Sequence, residues 1–257
     1  MVTQLINYAI PLFTGLFLAI VLAAELGRRI GRWRQQGTDG PLPGTAAVDA
    51  AIFALFGLLL AFTFSSAAAR FDHRRDMIVA EANDIGTAYL RIDLAPPAAQ
   101  PALRDAFHRY VDSRVNAYRK GIDFEDFKAG LEVSEEIQTE IWSLAIAAGR
   151  MPDAPPNLNM LLLPSLNQMI DITTTRAMAT VSHPPAIIYV LLFALALICA
   201  TIAGHGMAAA RSRNWFHMIG FAAILTITLY VIVDLEFPRL GFIQVGDFDK
   251  LLLRSVD

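Results

Sequence analysis

Arg70 and Arg74 stand one helical turn apart, directly after the apolar run AAVDAAIFALFGLLLAFTFSSAA (46–68). Repeated around a symmetry axis, such a pair forms rings of positive charge that draw anions. The same side chains can instead pair with Asp72, Asp76 or Glu81, or reach back to lipid headgroups. Within the run, Phe56, Leu60 and Phe64 recur at i, i+4 and i+8, with Thr63, Ser66 and Ala67 on nearby faces. In an oligomer that stripe could form a constriction that closes by dewetting. In a single bundle it packs against neighbouring helices or lipid. Asp234 follows directly on the apolar stretch TITLYVIV. An ionisable group at that depth needs a partner, and Arg239 and Arg176 are the candidates, as an ion site or as a structural pair closing a bundle. Asn167, Asp171 and Arg176 lie on a stretch expected to return beside residues 70–94, so pairs such as Asp171 with Arg74 are expected. Glu81 and Arg91 belong to the same polar stripe as Arg70, Arg74 and Asp84, at three-, four- and seven-residue steps on one helix face.

Other chemistries find no residues to carry them. His73, His108, His183, His205 and His217 are scattered, and none makes an HxxxH or similar ligand spacing. Cys199 is the single cysteine, so CxxC and internal disulfides are excluded. No GxGxxG, Walker A or GxSxG motif occurs, and the carboxylates spread along helices as solvated faces. No catalytic residue, metal or cofactor is expected, and the chain is not read as an enzyme. A net charge of −3 gives no basic surface for nucleic acid. Gly204 and Gly206 flank His205 and read as a turn opening a loop.

The elements that must position these residues are helices in a membrane. The chain is 55% hydrophobic and 18% charged, with a mean hydropathy of +0.45, as expected of a small polytopic membrane protein with a sizeable polar part. Four apolar runs reach the ~20 residues that cross ~30 Å of hydrocarbon: about 5–26, 47–68, 185–203 and 216–233. Each must be helical, because lipid offers the backbone no other partner. They form two hairpins, 1–69 and 184–235, with a polar domain at 70–183 between them and a tail at 236–257. The start, MVTQLINY, has no basic region before its apolar run and reads as a retained anchor rather than a cleaved signal.

The second run continues into ARFDHRRDMIVAEANDIGTAYLRIDL with no breaker between, predicting one helix from about Ala46 to Leu94. Phe71, Ile78, Ile85 and Ile92 recur every seven residues, with Ala82 and Tyr89 between them, as a core-facing seam. APPAAQP then breaks the helix. Further helices are expected at about 102–119, burying Leu103, Phe107, Tyr110, Val111 and Tyr118, at about 133–148 and at about 158–181. The expected fold is an all-α membrane protein with a helical extramembrane bundle continuous with spans two and three. Arg28, Arg29, Arg32 and Arg34 fall in one short loop, and Arg211 and Arg213 in another. Lys and Arg in short loops mark the cytoplasm, which puts both termini and residues 70–183 on the periplasmic side of a bacterial inner membrane. Arg70, Arg74 and Arg75 argue the other way.

The pieces ELGRRIGR, GLLLAFTFSSAAARFDHRR, EANDIGTAYLRIDL, LNQMIDITTTR before HPP, and DLEFPRLGFIQV, in that order across nearly the full chain, resemble the bacterial bestrophin-like membrane proteins. The residues this resemblance singles out are Arg70, Arg74, Glu81, Asn83, Thr87, Arg91, Asn167, Asp171, Arg176, Asp234, Pro238 and Arg239. The chain departs from the pattern at Glu236-Phe237 and Leu240, where acid and arginine tend to repeat, and this weakens a charge ring at span four. The resemblance implies kinship to pentameric anion channels whose second span lines the pore. It also implies a cytosolic middle domain, against the arginine count, which is followed here for topology. The expected function is an oligomeric, anion-preferring channel in the bilayer, with Phe56, Leu60 and Phe64 as its constriction. The alternative is a non-conducting scaffold or envelope sensor that binds a partner through its helical domain. A third, a proton-driven stator-like complex, would need an acid within the membrane, and Asp49 and Asp234 lie at span ends.

Overall fold

The computed structural model describes residues 2–35, 45–120, 124–209, 214–238, 242–243, 245–246 and 248–256. Among them every regular element is helical: α1 (Val2–Gln35), α2 (Thr45–Leu90) continued by a 3₁₀ turn (Arg91–Leu94), α3 (Gln100–Lys120), α4 (Phe124–Gly149), α5 (Leu158–Val181), α6 (Ala186–Gly206) with a 3₁₀ turn (Met207–Ala209), α7 (Trp215–Glu236) and α8 (Lys250–Arg254). Four of the helices are long and apolar enough to cross a membrane, and the chain is an all-α membrane protein. It divides into two compact units, Met1–Arg70 with His183–Ile243, and Phe71–Ser182 with Gln244–Asp257.

The first unit holds α1, the apolar part of α2, α6 and α7. Its core gathers Ile20, Ala24, Phe56, Leu192, Cys199, Met218 and Leu225. In lipid, apolar surface gives no preference for another helix over acyl chains, so close packing of small residues must supply the association. Helices α1 and α6 meet in that way. A Cβ built on Gly204 would lie 1.8 Å from the carbonyl oxygen of Ala24, and one on Gly27 would lie 1.9 Å from that of Thr201. This corrects the reading of Gly204 and Gly206 as a turn: α6 runs through Gly206, and Gly204 is the point at which two backbones touch. Pro185 caps the start of α6, where a missing N–H costs nothing.

The second unit holds α2 from Phe71 onward, α3, α4, α5 and α8. The seven-residue seam is buried as its spacing predicts, with Ile78, Ile85 and Ile92 packed inside, and Leu103, Phe107, Tyr110, Ile141, Leu158 and Leu162 join the same core. Helix α4 begins at Phe124 rather than near Val133. Glu125 and Asp126 occupy its first turn, where acids suit the helix dipole, so the polar stretch before Val133 is helical too. Val245, Leu252 and Val256, read from sequence as part of a tail, are packed out of solvent in this unit.

Candidate functional site

Helix α2 carries most of the candidate residues. Phe56 is 3% exposed and lies inside the core of the membrane unit, so the i, i+4, i+8 stripe does not share one open face. Leu60 is half-buried against that core and Phe64 is 44% exposed. The open face is instead Leu55, Leu58 and Phe62, at 52%, 52% and 62% exposure. Periodicity alone could not choose between these stripes, because α2 is apolar all round and its face is decided by what packs beside it.

Arg70 closes the membrane part of α2. Its Nε donates to Glu236 Oε2 at 2.8 Å and its Nη2 lies 2.7 Å from the same oxygen. His183 Nδ1 lies 3.0 Å from the other oxygen, and its ring stacks on Phe237. The Glu236 side chain has no exposure. This partner is neither Asp72 nor Glu81, and it comes from the stretch where the sequence departs from the family pattern.

Arg74, in the second unit, is buried and donates to the carbonyl oxygens of Ala179 and Ser182, both at 3.0 Å. It thereby satisfies carbonyls left open at the end of α5. Asp171 is exposed and accepts from Asn167 Nδ2 at 3.0 Å, so the expected Arg74–Asp171 pair gives way to two local arrangements. Arg91 Nη1 donates to the Leu161 carbonyl at 2.5 Å. Asn83 and Thr87 are exposed.

Glu81, expected on a polar face, is fully buried between two guanidiniums. Arg114 Nε donates to its Oε1 at 2.6 Å, and Arg176 Nη1 donates to its Oε2 at 2.5 Å. Arg176 Nη2 then donates to Asp249 Oδ1 at 2.5 Å. The ring of Tyr118 lies 3.8 Å from the Arg176 guanidinium carbon. Two cations meet two anions here, as buried charges require. Burial opposes charge on Arg114, but the paired Glu81 carboxylate outweighs it and holds its pKa above the ordinary arginine value. Tyr110, Thr173 and Gln138 bond to one another in the same core.

Sequence reasoning missed Arg114 and Asp249. Arg114 was legible: it falls with Leu103, Phe107, Tyr110 and Tyr118 on the one apolar stripe of α3, where a charge must find a partner. Asp249 carried no such signal.

Asp234 is buried and accepts the backbone N–H groups of Phe242 at 3.0 Å and Ile243 at 2.9 Å, with Tyr230 Oη at 3.2 Å. It thereby holds the backbone of Phe242 and Ile243, and the expected partner Arg176 is engaged by Glu81 and Asp249. Arg239 lies outside the described residues. On α1, Glu25 accepts from Arg28 and Arg29, so two of the arginines counted for topology are paired.

A sequence model of the Bestrophin-like domain matches residues 16–247. The chain belongs to the bestrophin-like family. Its fold is shared with solved bacterial bestrophin homologues from Klebsiella pneumoniae. An isoleucine-to-threonine variant superposes with a TM-score of 0.74 at 13% identity, covering 95% of this chain and 98% of that one. A tryptophan-to-alanine variant gives 0.68 at 13% identity, covering 97% and 98%. A structure described only as a membrane protein, with a proline-to-alanine change, gives 0.67 at 14% identity, covering 95% and 98%. No curated protein matches by sequence. At such identities the likeness is one of fold. In this bestrophin-like chain, then, the candidate charges of α2 have separate local partners: Arg70 joins Glu236 and His183, Arg74 the end of α5, and Glu81 joins Arg114 and Arg176.

Proposed function

We infer that the chain is an oligomeric ion channel of the inner membrane, with α2 lining the conduction path. The observation that carries this is the bareness of α2 in a chain of the bestrophin-like family. Only 6% of its most apolar eighteen-residue window is buried within the protomer, against 44% for α7. Acyl chains would cover so apolar and uncovered a face as well as a helix does, so it is the kinship with oligomeric channels that favours other copies of this chain around it, closed by symmetry. The resemblance to pentameric anion channels supports five copies and anions as the permeant ions. Leu55, Leu58 and Phe62 are the residues proposed to form a dewetting constriction, in place of the buried Phe56. Arg70 stands at the mouth.

The rival reading, a scaffold that binds a partner, draws support from the groove between α3 and α4, where Val133, Ile137, Ala117 and Ala129 line a floor edged by Asp112 and Asp126. Flux from proteoliposomes holding the purified protein, under opposed chloride and sodium gradients, separates the two. Chloride-preferring flux is expected. Cation flux would discard the anion assignment, and no flux over a range of pH and calcium would leave the scaffold.

A further inference from the structure

Arg70 is the cation assigned to the mouth, yet it is not a lone charge. Both its Nε and its Nη2 converge on one oxygen of Glu236, at 2.8 and 2.7 Å. Glu236 has no solvent exposure, while the Arg70 side chain keeps 31%. The carboxylate is therefore fixed by protein on every side, with His183 on its second oxygen, and the guanidinium is the partner that still faces water. Such a pair has no net charge, and its field at an ion passing several ångströms away is that of a dipole rather than of a cation.

We propose that Glu236 is the residue that sets ion preference at this mouth, by cancelling the charge of Arg70. The inference rests on the channel reading and deepens it. In that geometry the ion preference follows the sum of the two charges rather than the arginine alone. Relative to wild type, Glu236→Gln adds one positive charge, Arg70→Gln removes one and leaves Glu236 with His183, and the double variant restores the balance. Glutamine keeps an oxygen to accept from Arg70, and Arg70 can turn to water, so Glu236→Gln leaves no cation buried without a partner.

The test is the reversal potential of reconstituted channels in a chloride-to-sodium permeability assay, made on wild type, the two single variants, the double variant and Glu236→Asp. A unit charge a few ångströms from the path acts with opposite sign on the two ions, so Glu236→Gln is expected to raise the chloride-to-sodium ratio about fivefold. Arg70→Gln is expected to lower it by a smaller factor, because the buried Glu236 left behind is driven toward its protonated form. The double variant and Glu236→Asp should stay near wild type. A purely structural Glu236 would change current amplitude or protein yield and leave the ratio alone. Currents with an unchanged ratio in Glu236→Gln, or a double variant that fails to return to the wild-type ratio, overturn the inference while the channel reading stands. Absence of current in every variant, with folded protein in each, overturns both. If Glu236→Gln alone does not fold, the Arg70→Gln and double-variant ratios decide.

Discussion

Single charged residues in this chain are explained by what surrounds them. Glu81 pairs with both Arg114 and Arg176 out of solvent, and Asp249 supplies the second negative charge. Replacing it with Gln leaves two guanidiniums and one carboxylate, Asp249, which bonds to Arg176. Breaking a buried pair from one side costs about 3–5 kcal/mol, so Glu81→Gln is expected to lower the thermal midpoint of the detergent-solubilised protein sharply. An unchanged midpoint would mean that water reaches the cluster. Asp171 is exposed and bonded only locally among the described residues, and Asp171→Asn should leave the midpoint where it is. The contrast with Arg109 is instructive. Its fork on Glu140 is well formed and holds that carboxyl below the usual carboxylate range, but both partners meet solvent and the bridge contributes little. From sequence, Glu81 and Arg176 were recognisable as members of a charge network. Which charges met was not, because the partners lie 33, 95 and 73 positions apart, and helical spacing predicts only near neighbours.

Helices are where the sequence was most readable. Apolar length fixed the four crossings, and the seven-residue seam placed Ile78, Ile85 and Ile92 in a core. The face presented by α2 was not readable, since a span apolar all round has no periodicity to orient it, and Phe56, expected at a constriction, packs in the protomer core. The meeting of α1 and α6 was also hidden: Gly204 looks like a loop glycine until Ala24 is seen against it. Because the atom a new Cβ would strike is backbone, the helices must move apart. Gly204→Ala is expected to destabilise the membrane unit by about 1–3 kcal/mol. Gly220→Ala on α7, with nothing within 4 Å, should be neutral or slightly stabilising. Thermal midpoints in the same detergent compare the two, and equal effects would refute a close α1–α6 contact.

At the scale of the molecule, orientation and assembly are the open proposals. The arginine count puts α3 and α4 outside the cytoplasm, although Glu25 engages two of those arginines. Acids weigh little in that rule, so the assignment stands as an expectation. With buried Cys199 replaced by Ser, a cysteine at exposed Ser143 should react with a membrane-impermeant maleimide in intact spheroplasts. Labelling only after lysis would turn the molecule over. The central claim is that the open face of α2 lines the ion path, and its most direct test is block by a charged thiol reagent. In the Cys199→Ser background, single cysteines would be placed at Phe62 on the open face, at buried Phe56, and at Ile227 on α7, which is as exposed in the protomer as Phe62. The account predicts that the reagent blocks current through Phe62→Cys and leaves Phe56→Cys and Ile227→Cys conducting. Block at Ile227 or Phe56 with none at Phe62 would contradict it.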